Sequence, residues 1–154
     1  MLHEIPPTDI AETYSQRWKL DDVITLCRDS SLMFRAASRL PSQHRDELMA
    51  LARRRSAFAH RLSGFAREPD DANETGSIGG RMRRWLVDAR ARVLGQTHLG
   101  DSLAACLRAE SAAMRGYSRA LAIDWNGEIA DVLEEQLDDV VVTETRIRDI
   151  RGHL

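Results

Sequence analysis

Between Leu48 and Phe65 the chain places a bulky side chain at alternating steps of three and four: Leu48, Leu51, Arg55, Phe58, Leu62, Phe65. At that spacing the side chains share one face of an α-helix and interlock with a matching stripe on a neighbouring helix. A strand would divide them between two faces. The stretch therefore demands other helices around it. It also places Arg55 where a hydrophobe is expected.

Three more stretches carry the same period. Leu20, Val23, Ile24, Cys27, Phe34 and Ala37 define a first helix over about Tyr14 to Leu40, with Ser30 and Ser31 interrupting its apolar run. Pro41 ends it, because the residue before a proline disfavours the helical region. Residues 1–13, with Pro6-Pro7, read as a flexible arm, with Thr8 or Asp9 as an alternative early helix start, ahead of a single domain over 14–154. Ser42 suits the N-cap of the second helix, which runs to about Arg67. The third helix, about Ser102 to Ala122 with Asp101 or Ser102 as cap, carries Leu103, Leu107, Glu110, Met114, Tyr117 and Leu121. The turn at Asp124–Gly127 leads into the fourth, about Glu128 to Arg151. Its stripe is Ile129, Leu133, Gln136, Val140, Thr143 and Ile147, with Glu144 on its edge. No stretch of useful length alternates with period two, so no sheet is expected.

Between the second and third helices, Gly76–Gly80 makes a turn into a short amphipathic helix with Ile78, Met82, Trp85, Ala89 and Val93 on one side and arginines around it, ending at Gly95. Short links between the first and second and between the third and fourth helices imply two antiparallel hairpins. The long link must then travel the length of the bundle. The expected fold is all-α: an up-down four-helix bundle with a long crossover containing a short helix, as in ferritin-like folds.

Composition narrows the function. A net charge of −2 argues against specific nucleic-acid binding, which more often needs a strong positive excess. Lys19 is the only lysine, so the positive charge is almost all arginine, from coding bias or from a dedicated phosphate or carboxylate surface. Cys27 and Cys106 lie in helical apolar patterns and read as reduced core thiols. The N-terminal stretch has no apolar run suited to a signal peptide and no stretch suits a membrane span, so the expected location is cytoplasmic.

Arg55, Glu110, Gln136 and Thr143 occupy stripe positions, and Asp29 and Glu144 lie at stripe edges. A charge removed from water needs a partner. Arg55 and Glu110 both fall near mid-helix, where antiparallel packing brings them to one level. They are expected to meet directly, or through Gln136 or Asp29, as a core polar cluster of Arg55, Glu110 and Gln136. Such a pair fixes register. The alternatives are a carboxylate site and an Arg55 that snorkels outward along its stem. A di-iron core of this architecture needs Glu-x-x-His on two helices, and the chain contains none. The reversed His44-x-x-Glu47 falls at a helix start, expected to be exposed, and His60 reads as a surface or boundary residue. The candidate ligands are Asp29, Glu110 and Glu144, for iron or manganese, with the fixed charge of Arg55 opposing a cation. No phosphate-cradling or dinucleotide glycine motif is present, and neither cysteine has a histidine base at a readable spacing. Arg81–Arg92 around Trp85 offer a weak polyanion or membrane surface, or simply the wet side of an amphipathic helix.

Several motifs taken together resemble a bacterial family of four-helix-bundle proteins of unknown function in the ferritin-like superfamily. They are Gly76-Ser77-Ile78-x-Gly80, Arg83-x-Trp85, Cys106-x-Arg108-x-Glu110-x-Ala112, Tyr117-x-x-Ala120-Leu121, and Gln136 with Val140 and Arg146-Ile147. Arg55-x-x-Phe58 and Asp29 with Phe34-x-Ala36-Ala37 are similar as well. The resemblance spans roughly residues 18–151 and implies the fold and an association with bacterial stress or envelope physiology, with no established activity. This chain has Ala105 and Leu107 where members often carry acids, and Met82 and Glu144 where they often carry histidines, which weakens a metal role. The expectation is a non-enzymatic structural or interaction protein, self-associating or binding a protein partner, with no cofactor. The alternative is a carboxylate metal-binding protein of the ferritin-like superfamily.

Overall fold

The computed structural model describes residues 7–66 and 98–154, with side chains from residue 16 onward. The described residues form four helices: α1 (Pro7–Ala37), α2 (Arg45–Ala66), α3 (Leu99–Leu121) and α4 (Gly127–Gly152). No strand occurs among them.

The helices pack in a ring. Contacts link α1 with α2, α1 with α3 and α3 with α4. Ion pairs from Arg54, Arg61 and Arg146 close the ring between α2 and α4. The pairings Glu47–Arg146, Arg54–Asp139 and Arg61–Glu135 run in opposite chain directions, so α2 and α4 are antiparallel. The same holds for α1 and α3, where Gln16 meets Asp124, Cys27 meets Tyr117 and Ser30 meets Glu110. Every neighbour is thus antiparallel, and α2 and α3 are parallel across the diagonal.

Two apolar clusters fill the interior. One contains Phe34, Leu48, Ala52, Leu103 and Ile147, with Leu99 packed against it. The other contains Leu20, Leu62, Tyr117, Ala120 and Leu133, with Ala66 against it. The end of α2 and the start of α3 therefore belong to opposite ends of the bundle. The expected crossover helix, with Trp85 and Arg81–Arg92, lies outside the described residues.

The helix boundaries follow local chemistry. α1 already begins at Pro7, earlier than Tyr14, and proline is suited to a first helical turn because its missing N–H has no partner there. Residues 1–6 of the expected arm are outside the described residues. α1 ends at Ala37, before Leu40, in a tightened turn in which the Arg39 and Leu40 amides donate three residues back, to Ala36 and Ala37. Ser42 Oγ accepts from the His44 amide (3.0 Å) and organises the entry to α2. His44, expected to be exposed, is instead half-buried, 3.5 Å from Glu47. α3 begins at Leu99 with His98 as N-cap, not Asp101 or Ser102. Ser102 is buried in the first turn, where its amide donates to the His98 carbonyl (3.1 Å). α4 has a capped start: Asn126 Oδ1 accepts from the Ile129 amide (3.2 Å).

Candidate functional site

A polar layer separates the two apolar clusters, and each helix contributes to it. The stripe of α2 points Arg55 inward, and the stripe of α3 points Glu110 at it across the diagonal. Both side chains are fully buried. Arg55 Nε donates to Glu110 Oε1 (2.9 Å) and Nη2 to Oε2 (2.6 Å), so the fork engages both carboxylate oxygens. From α1, the buried Ser30 donates to Glu110 Oε1. From α4, Asp139 accepts the remaining Arg55 nitrogen, Nη1, at 2.8 Å. Asp139 is held in turn by Arg54 Nη1 (2.9 Å) and by the Thr143 hydroxyl (3.4 Å). The Arg55 guanidinium also lies over the Phe58 ring, 5.1 Å from its centroid.

Burial works against the Arg55 charge. The hydrogen bonds and charges of Glu110 and Asp139 outweigh it and raise the pKa above that of an ordinary arginine. The outward-snorkelling alternative is therefore corrected: three Arg55 nitrogens are bonded inside the bundle.

Next to the ion pair runs a second buried chain of polar groups. Tyr117 OH donates to Gln136 Oε1 (2.7 Å), and Cys27 Sγ lies 3.1 Å from the Tyr117 oxygen. With the phenolic proton committed to Gln136, the thiol is the donor. Gln136 Nε2 is buried without a partner among the described residues. Gln136 thus lies in the polar core but bonds to Tyr117, not to the Arg55–Glu110 pair. Burial pushes the Cys27 thiol up to about 11, raises Cys106 further, with help from the Glu110 charge, and raises Tyr117. Both cysteines are free and buried, and at neutral pH both are thiols.

The three carboxylates proposed as ligands are not brought together as a set. Glu110 is occupied by Arg55 and Ser30. Glu144 turns to the surface pair with Arg148 (2.6 Å). Asp29 is half-buried on α1, near enough to Cys106 for its charge to raise that thiol. Among the described residues no group of three or more His, Cys, Asp or Glu side chains is arranged to hold a metal ion. His60 is exposed.

Asp139 and Ser30 complete the network, and the stripes alone do not reveal their roles. Ser30 left a trace, as a gap in the apolar run of the first helix. Asp139 left none, since it precedes Val140 among other acids and looks like a solvated side chain.

No helix among the described residues is long and apolar enough to cross a membrane. No family model, curated protein or solved structure matches this chain.

Proposed function

We propose that the protein is a non-enzymatic helical scaffold of ferritin-like topology, which binds a second copy or a protein partner through the outer face of α4. The observation that carries the reading is the occupation of Glu110. The carboxylate that a core metal site would use is neutralised bidentately by a buried arginine. The thiols and phenol beside it are protonated at neutral pH, so the layer offers no nucleophile. Ferritin-like topology is supported by the parallel diagonal of α2 and α3, whose joined ends lie at opposite ends of the bundle and call for a long crossover. Contact through α4 is supported by Val141 and Val142, which are 45% and 69% exposed on adjacent positions. The family resemblance adds a bacterial setting linked to stress or envelope physiology, and the N-terminal stretch without a signal-peptide pattern supports a cytoplasmic location.

Elemental analysis tests the central claim, on protein purified without chelator or affinity tag and then loaded aerobically with iron or manganese. The expected metal content is well below one per chain. Near-stoichiometric metal that disappears in Glu110→Ala would overturn the reading in favour of a carboxylate metal protein. Light scattering of Val141→Glu/Val142→Glu tests the interface, and an assembly unchanged by both charges would remove α4 from it.

A further inference from the structure

α3 and α4 meet along a groove of about 500 Å³, on the opposite side of α4 from the paired arginines of α2. Leu107 and Ser111 line it, together with Arg108 and Arg115 from α3 and Arg148 and Arg151 from α4. All four arginines are exposed. Glu144 supplies one carboxylate, to Arg148. Among the described residues no ion pair engages Arg108, Arg115 or Arg151. The α2–α4 side is different. There Arg54, Arg55, Arg61 and Arg146 each meet a carboxylate. General abundance of arginine does not explain the contrast, because all four of these arginines meet a carboxylate on one side of α4, whereas only Arg148 of the four in the groove does so on the other.

The spacing suits a compact polyanion. Arg108 and Arg115 are two turns apart, about 10 Å along α3, and Arg148 and Arg151 are about 4–5 Å apart along α4. Guanidinium forks bind phosphate oxygens in pairs, and Ser111 adds a hydroxyl donor. The charge of α4 itself limits the ligand's length. Toward the start of α4 the exposed Glu134 falls on the same face as Arg148, with exposed Asp131 and Asp138 beside it, whereas Glu135 is taken by Arg61 on the α2 side. A polymer or membrane surface continuing along α4 would meet this acidic stretch, whereas a ligand confined to the groove would not.

We infer that the α3–α4 groove binds a short, multiply phosphorylated small molecule through Arg108, Arg115, Arg148 and Arg151. This site is separate from the polar core and does not depend on the scaffold reading. Calorimetric titration of the full chain with inorganic tripolyphosphate tests it. The expected result is one site per chain, weakening as ionic strength rises. Arg108→Gln/Arg148→Gln should lower affinity by about tenfold or more. Arg54→Gln/Arg61→Gln, which removes the same charge from the other side, should leave affinity within about twofold. Circular dichroism melts of each variant confirm folding, since all four substituted side chains are exposed. Absence of binding would overturn the inference, as would equal losses in the two double variants. Tighter binding of duplex DNA or of phosphatidylserine vesicles than of tripolyphosphate would overturn it in favour of a surface for those ligands.

Discussion

Arg55 and Glu110 are each other's fully buried counter-charge. Removing Arg55 leaves Glu110 uncompensated, so Arg55→Met is expected to cost about 3–5 kcal/mol in urea unfolding, and Glu110→Gln less, because Asp139 still faces Arg55. The double variant Arg55→Met/Glu110→Leu should be much less destabilised than the sum of its parts, because apolar replacement of a whole buried pair is often nearly neutral. Additive losses would mean that the pair is not coupled. Cys27 gives a pH signature. Its folded pKa is raised to about 11, above that of an unfolded thiol, so the folded state holds the proton longer. Its contribution is fully present below about pH 9 and is lost as pH rises to about 11, a decline of about 2–3 kcal/mol. Cys27→Ala should show a shallower fall in urea midpoint over that window, and an equally steep fall would contradict the assignment. Both anomalies of the pair were legible from the chain, since a charge in a three-four stripe stands out. Asp139 was not, because a stripe-edge acid among acids gains meaning only when Arg54 and Arg55 face it across α2 and α4.

At the level of elements, Gly116 shapes the packing of α3 on α1. It is buried on α3, and a Cβ there would overlap Leu26 Cδ1 of α1. Glycine within a helix costs about 1 kcal/mol relative to alanine, so its presence signals a packing demand that outweighs propensity. Gly116→Ala is expected to lower stability by about 0–2 kcal/mol net, the overpacking cost less the helical gain. In a Leu26→Ala background the same change should become neutral or stabilising. If it destabilises equally in both backgrounds, Leu26 is not the obstacle. The helix starts differ in their chemistry. Asn126 caps α4 through its side chain, whereas His98 opens α3 with no side-chain cap bond. The turn before α4 is further tied by Trp125 Nε1, which donates to the Ala120 carbonyl at 2.7 Å. Composition alone identified this turn, but not that its tryptophan closes the end of α3.

For the whole molecule, the order of layers matters: apolar cluster, polar layer, apolar cluster. The polar layer joins the α1–α2 hairpin to the α3–α4 hairpin through Ser30, Arg55, Glu110 and Asp139. Both apolar clusters also draw on all four helices. Neither hairpin keeps its core without the other. Urea unfolding followed by far-ultraviolet circular dichroism and by tryptophan fluorescence is therefore expected to give one coincident transition. Separated transitions would mean that the hairpins unfold independently.

The amino-acid order by itself determined the helices, their faces and the two misplaced charges, because the period of a helix is local and any charge in an apolar stripe breaks it. It also determined that the bundle must hide a polar layer at mid-height. Which groups satisfy that layer was decided only by the tertiary structure. The bidentate fork on Glu110, the Asp139 contact across to α4 and the Tyr117–Gln136 bond join residues distant in sequence, at angles set by how four helices rotate against one another. The arginine groove has the same origin. Arg108 and Arg151 belong to different helices, and only the packing of α3 on α4 brings these scattered surface charges to the lining of one groove.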